Sequence, residues 1–242
     1  MKHNIRALFI SDVHLGSKGS NPKAVLSLLK KNSPEYLFIV GDFIDGWLLQ
    51  RRHYWTQEKT NVIQRILKLS KKGTKVIYLT GNHDEFLRQY ENLEFGNIEI
   101  VDEYIHDGYL VIHGDKYDGV VKLHWLGKLG GVGYEMAVNV DRFFKSLGVK
   151  WSFSKFLKDK VKEAVKFITR FEQELAEQAI LRDCRGVICG HIHKPENKII
   201  TPEDKDPWIH GVHYLNCGDW VENNSYIVQL HTGEFKLCYQ NN

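Results

Sequence analysis

Five short clusters of aspartate, asparagine and histidine recur along the chain, each directly after a short apolar run. They are Asp12-Val13-His14, Gly41-Asp42, Gly81-Asn82-His83-Asp84, His113-Gly114-Asp115 and Gly190-His191-Ile192-His193. Carboxylates, carboxamide oxygens and imidazoles are ligands for divalent cations. Asp12 and His14, two apart where a strand ends, can converge on one ion, and Asp42 can bridge two ions with its two oxygens. The residues then fall into two sets that share Asp42. One holds Asp12, His14, Asp42 and His193; the other holds Asp42, Asn82, His113 and His191. Any one cluster alone reads more readily as a turn or a helix cap. Five of them at five strand ends do not.

Such a site has a definite chemistry. Two cations about 3.5–4 Å apart share a hydroxide, lower its pKa and neutralise phosphoryl oxygens, so no Ser or Cys nucleophile is needed. His83 follows Asn82 and is not required as a ligand. It is the candidate to donate a proton to a leaving oxygen or to stabilise charge on the phosphoryl group. Asp84 is expected to hold its ring, and Asp45 and Asp115 are candidate outer groups. The mixed oxygen and imidazole set, without thiolate, suits Mn²⁺, Fe or Zn²⁺, and of these we expect Mn²⁺.

The elements that must position these groups are also visible. Ala7–Ser11, Tyr36–Val40, Lys75–Thr80, Tyr109–Ile112 and Gly186–Cys189 read as buried strands. Helical patterns separate the first three: Pro22–Lys31, with Pro22 near its start, and Thr56–Lys72, stopped by Gly73. This βαβαβ order implies a parallel sheet with right-handed crossovers, whose ligands bind at the carboxyl ends of strands. Residues 117–183 read as mostly helical and too long for a simple crossover, so we expect a helical insertion in a single domain over 1–242. Short strands follow at Lys198–Thr201, His213–Leu215, Tyr226–Leu230 and Glu234–Tyr239.

The formal net charge of +3 over 242 residues gives no global sign of a nucleic-acid binder. No apolar run reaches the roughly 20 residues of a membrane span. The start of the chain has no signal-peptide pattern. The four cysteines have no CxxC spacing, and we expect reduced thiols and a cytoplasmic protein.

The five blocks, in this order, resemble those of the calcineurin-like metallophosphoesterase superfamily. The resemblance spans residues 7–193. It implies an α/β four-layer αββα sandwich, two packed β-sheets flanked by helices, and the two-metal assignment given above. Chain length, the His113-Gly114-Asp115 block, the helical insertion and Gly190-His191-Ile192-His193-Lys194-Pro195 further resemble the UDP-2,3-diacylglucosamine pyrophosphatases of lipid A synthesis. That likeness implies cleavage of a nucleotide-lipid diphosphate, peripheral contact with a membrane, and an insertion that holds acyl chains as a lid. Those enzymes commonly carry Arg where this chain has His83. The alternative is a phosphodiesterase or phosphatase acting on a nucleotide, nucleic acid or phosphoprotein. A scaffold that has lost catalysis is disfavoured, because all seven ligands and His83 are present.

The insertion adds its own signal. From Asp141 to Lys166, eight basic residues, among them Lys155, Lys158 and Lys162, stand against three acidic ones. Phe143, Phe144, Trp151 and Phe156 are interleaved with them. This mixture suits an anionic membrane surface or an amphiphilic substrate, or equally a solvated helix packing its apolar stripe on the core. Arg51 and Arg52, with Trp55 nearby, are candidates to clamp a phosphate or stack on a base.

Overall fold

The computed structural model describes residues 3–51, 54–118, 153–201 and 211–241. Strand β1 (His3–Ile10) leads to helix α1 (Pro22–Lys31), strand β2 (Asn32–Val40), the short helix α2 (Gly46–Arg51), helix α3 (Gln57–Ser70) and strand β3 (Lys75–Leu79). A 3₁₀ turn (Glu85–Tyr90) precedes β4 (Glu94–Phe95), β5 (Ile98–Val101), β6 (Glu103–His106) and β7 (Tyr109–Ile112). Helix α4 (Phe153–Leu181) is followed by β8 (Gly186–Cys189), β9 (Glu196–Ile200), β10 (Val212–Asn216), β11 (Ser225–Gln229) and β12 (Phe235–Tyr239).

The strands form two mixed sheets flanked by helices. The first runs β12-β11-β1-β2-β3-β5-β4 and the second β6-β7-β8-β10-β9. In the first, β1, β2, β3 and β5 are parallel, as the βαβαβ pattern requires. In the second, β7, β8 and β10 are parallel. Period-two alternation divides each strand between two cores. Ala7, Phe9, Phe38, Val40, Ile77 and Leu79 pack with Val111, Ile188 and Leu215 of the second sheet. Leu8, Ile10, Leu37 and Ile39 face the other way, onto Val25, Leu28 and Leu29 of α1 and Val62, Ile66 and Leu69 of α3. Each such fully buried side chain contributes about 1.5–3 kcal/mol of transfer free energy. Local chemistry starts α1: Asn21 accepts from the Ala24 amide, and Pro22 occupies the first turn.

The strands at Glu94–His106 were not expected from the sequence. Glu94 and Phe95 are both exposed, and Glu103–His106 alternates with only His106 buried, so neither shows a continuous apolar run. The chain separates into two compact units, Met1–Asp115 with Leu175–Asn242, and Lys116–Glu174. Both sheets and the clusters described next belong to the first unit. Of the expected insertion, residues 119–152 lie outside the described residues, and α4 supplies a helix of 29 residues. Among the described residues no helix is long and apolar enough to cross a membrane. All four cysteines are free thiols, and Cys184, Cys189 and Cys217 are buried.

Candidate metal centre

The ends of β1, β2 and β3 in the first sheet meet the ends of β7 and β8 in the second. The loops after β1 and β2 are zipped together: the amides of Asp12, His14 and Leu15 donate to the carbonyls of Gly41, Asp42 and Phe43, at 3.1, 2.9 and 2.8 Å. This places Asp12 beside Asp42. Five of the seven expected ligands hold a positive φ: Asp12 (52°), His14 (49°), Asp42 (50°), His191 (68°) and His193 (53°). A left-handed residue that is not glycine costs on the order of 1 kcal/mol. Strain repeated at five ligand positions is what a site aimed inward from tight turns requires. The glycines of the blocks have a matching reason. A Cβ on Gly81 would overlap the Asp42 carboxylate and the His113 ring, and one on Gly190 would overlap Ser11 and Asp12.

Among the described residues, three groups have donor atoms within 4.8 Å of one another: Asp12, His14 and His193; Asp42, His113 and His191; and His14, Asp45 and His83. Each central carboxylate has one oxygen pinned and one presented. Asp12 Oδ2 accepts from the His191 amide at 2.9 Å and from the Ser11 hydroxyl. Its Oδ1 lies 3.1 Å from His193 Nε2 and 3.8 Å from His14 Nε2. Asp42 Oδ1 accepts from the His83 amide at 2.8 Å. Its Oδ2 faces His113, His14 and His83 Nε2 at 3.4, 3.9 and 4.0 Å. Asp42 therefore offers its two oxygens unequally. Oδ1 accepts from a backbone amide, and Oδ2 faces imidazoles of both ligand sets.

Asp84 also differs from expectation. Its Oδ1 accepts from the Gly81 amide at 2.6 Å, and its Oδ2 from the Phe43 amide at 2.9 Å and the Tyr78 hydroxyl at 2.6 Å. Fully buried, it braces the turns that carry Asp42 and Asn82 rather than orienting His83. The carboxylate beside the His83 ring is Asp45, 3.2 Å from Nδ1. The same Asp45 stands 3.6 Å from His14 Nδ1. Trp47 lies on the His83 ring with centroids 4.2 Å apart.

Electrostatics fits this arrangement. Burial raises the carboxyl of Asp12, but His193, His113 and His14 outweigh it and hold it well below the usual range. Asp42 is held low against the same burial, chiefly by His113. Burial disfavours the charged His113 imidazole, yet Asp42 and Asp12 push its pKa up to about 10. His193 reaches about 9 in the same way, through Asp12 and then Asp219. Buried carboxylates that draw protons onto neighbouring imidazoles form a cavity that favours positive charge, and a divalent cation would displace those protons. Two further observations fit a metal. The Asn82 Oδ1 is buried without a hydrogen-bond partner among the described residues. His113 Nδ1 lies 2.9 Å from the Val40 carbonyl, which fixes its proton there and leaves Nε2 as a lone-pair donor.

The expected substrate contacts are described only in part. Arg51 is exposed, and Trp55 is exposed with its indole nitrogen on Thr60 Oγ1 at 3.0 Å. Lys162 is exposed on α4 in the second unit. Arg52 and the side chains of Lys155 and Lys158 lie outside the described residues. Asp115 pairs with Arg88 at 2.6 Å. The sequence reading missed Ser11, Asn216, Asp219 and Asn223. Asn216 donates to the Gly190 carbonyl at 2.9 Å, and Asn223 to the His193 carbonyl at 3.1 Å. The polar run Asn216–Ser225 after an apolar strand was the available signal.

The chain is similar to several known proteins. Residues 5–195 match the family described as calcineurin-like phosphoesterase. A UDP-2,3-diacylglucosamine hydrolase of Aliivibrio fischeri is 25% identical over 254 residues, covering 95% of this chain and 99% of that protein. A protein of the same name from Neisseria meningitidis serogroup A is 31% identical over 117 residues, 45% of this chain and 48% of that one. Among solved structures, Vps29 of Entamoeba histolytica aligns over 97% of this chain and 99% of its own, with a TM-score of 0.45 and 13% identity.

Proposed function

Since the chain belongs to the calcineurin-like phosphoesterase family, a family of hydrolases that use divalent metals, we propose that it is a dinuclear metallophosphoesterase cleaving the diphosphate of a nucleotide-lipid such as UDP-2,3-diacylglucosamine. The observation that carries the reaction class is Asp42 Oδ2, which faces imidazoles of both ligand groups from one buried point. The substrate class rests on the relative that spans nearly the whole chain.

Asp12, His14, Asp42 and His193 would hold one ion, and Asp42, Asn82, His113 and His191 the other. Bound there, two divalent ions, Mn²⁺ on our reading, supply an activated water and Lewis acidity toward phosphoryl oxygens. The chain's own residues do the rest. Asp42 and Asp12 neutralise the cation charge. Asp45 fixes the His83 ring, so that Nε2 points to the side of Asp42 where a phosphoryl group enters. Trp47 covers one face of that ring and limits water there. His83 then stabilises charge on the transferred phosphoryl group, where the resembling pyrophosphatases carry arginine. For such a substrate, residues 117–183 are the candidate lid, and the basic character of their sequence, Lys155, Lys158 and Lys162 included, suits an anionic membrane surface on the cytoplasmic side.

The test is hydrolysis with Mn²⁺ of UDP-2,3-diacylglucosamine in mixed micelles, of cyclic nucleotides, and of aryl phosphodiesters, followed by ³¹P NMR. UMP and a lipid phosphate should appear, with the lipid substrate preferred. Fast cleavage of the soluble diesters with none of the nucleotide-lipid would overturn the substrate assignment.

A further inference from the structure

The segment after β10 lies beyond the family match, which ends at residue 195, yet it grips two ligand-bearing turns. The Trp220 amide donates to the Asp12 carbonyl at 3.1 Å. The Asn223 side chain donates to the His193 carbonyl at 3.1 Å. Between them Asp219 is wholly buried. Its Oδ1 accepts from the amides of Val221 and Glu222 at 2.7 and 2.6 Å, and its Oδ2 accepts from the Asn223 carboxamide. That Oδ2 stands 4.0 Å from His193 Nδ1, on the opposite side of the ring from the Nε2 that faces Asp12. A wholly buried carboxyl group is costly unless its oxygens find partners, and here amide donors satisfy them and an imidazole faces one of them. An oxygen on the Nδ1 side favours an imidazole that keeps its proton on Nδ1 and its lone pair on Nε2.

We propose that Asn216–Asn223 is a positioning clamp for the Asp12 and His193 cation position, with Asp219 orienting the His193 ring and Trp220 and Asn223 fixing the spacing of the two turns. This rests on the two-cation reading above. Asp219 is a positioning residue: it acts through His193 and does not meet the substrate.

Two readouts separate this inference from the reading it rests on. The first is Mn²⁺ binding by calorimetry to wild type, Asp219→Asn and Asn223→Ala. Outer partners of a ligating histidine typically contribute about 10–100-fold in affinity. One of two Mn²⁺ steps should weaken by about that factor in Asp219→Asn, and by less in Asn223→Ala, while the other step stays nearly unchanged. The second is amide hydrogen exchange on the metal-free chain, which reads the clamp even if wild type takes up a single Mn²⁺. Asn223→Ala, which keeps Asp219, should speed exchange locally at Asp12–His14 and His191–His193. Unchanged Mn²⁺ steps together with unchanged local exchange would overturn the clamp. So would exchange raised uniformly across both sheets, which marks a residue that only supports the fold.

Discussion

Asp45 Oδ1 lies 3.2 Å from His83 Nδ1, and this contact sets the face that His83 presents to Asp42. The other oxygen of the same carboxylate reaches toward His14 Nδ1 at 3.6 Å. One buried group therefore holds a candidate ligand and the candidate charge-stabilising residue in register. Asp45→Asn should lower kcat by about 10–100-fold while the metal-free chain melts nearly as before. Steady-state kinetics beside a thermal melt checks it. An unchanged kcat would reduce Asp45 to its role as acceptor for the Leu48 amide.

Asp42→Asn keeps an oxygen for the His83 amide but removes the charge facing both ligand groups. Activity should fall at least about 100-fold. Metal content measured by elemental analysis should fall with it, and circular dichroism should show the fold intact. Undiminished metal content with full activity would contradict the bridging assignment.

His83→Ala discriminates between its two possible duties. If it stabilises phosphoryl charge, the loss should be similar on an alkyl diester, a p-nitrophenyl diester and a nucleotide diphosphate. A general acid instead contributes about 10²–10⁴-fold only where the leaving oxygen needs a proton. We expect the uniform loss. A steep dependence on leaving-group pKa would reverse the assignment and would also count against a diphosphate substrate.

His106, at the end of β6 and outside the candidate ligand sets, offers a pH test. It is buried, with its Nε2 2.8 Å from Gln229 Oε1. Burial holds its pKa below the ordinary value, although Gln229 and Asp107 pull it up and Arg6 pushes it further down. The folded chain thus takes up this proton at lower pH than the unfolded chain. Stability from this group is complete above the unfolded pKa near 6.5 and is lost as pH falls toward the folded value. Urea unfolding of EDTA-treated protein at about pH 8 and about pH 5.5 should show a smaller stability difference in His106→Gln than in wild type. Equal differences would mean His106 is not part of the acid sensitivity.

Much of the candidate site was legible because the clusters stand at the ends of buried apolar runs, and four of the five join a glycine to a ligand-type residue. The glycines are required by contact: at Gly81 and Gly190 there is no room for a Cβ beside Asp42 and Asp12. Composition alone does not tell which carboxylate meets which ring. Asp45 and Asp84 each follow closely on a ligand-type residue, and it is the path of the turns that puts Asp45 beside His83 and Asp84 against amides. Asp219 was hidden for a related reason. In Cys217-Gly218-Asp219-Trp220 it reads as a turn residue, and its second role depends on a turn that is distant in sequence. The edge strands β4 and β6 escaped because exposed, charged alternation carries little pattern.

The candidate ligands come from strand ends of two different sheets, from Asp12 near the start of the family match to His193 near its end. In kinetic terms this makes the centre a late acquisition. The parallel pairs β1 with β2 and β7 with β8, and the docking of one sheet on the other, must all form before the imidazoles converge, and such non-local contacts are slow to close. A cation captured afterwards acts as a rivet across the seam, stabilising the chain in proportion to the logarithm of its concentration over its dissociation constant. Starvation for the metal would then shorten the lifetime of the folded chain as well as silence it.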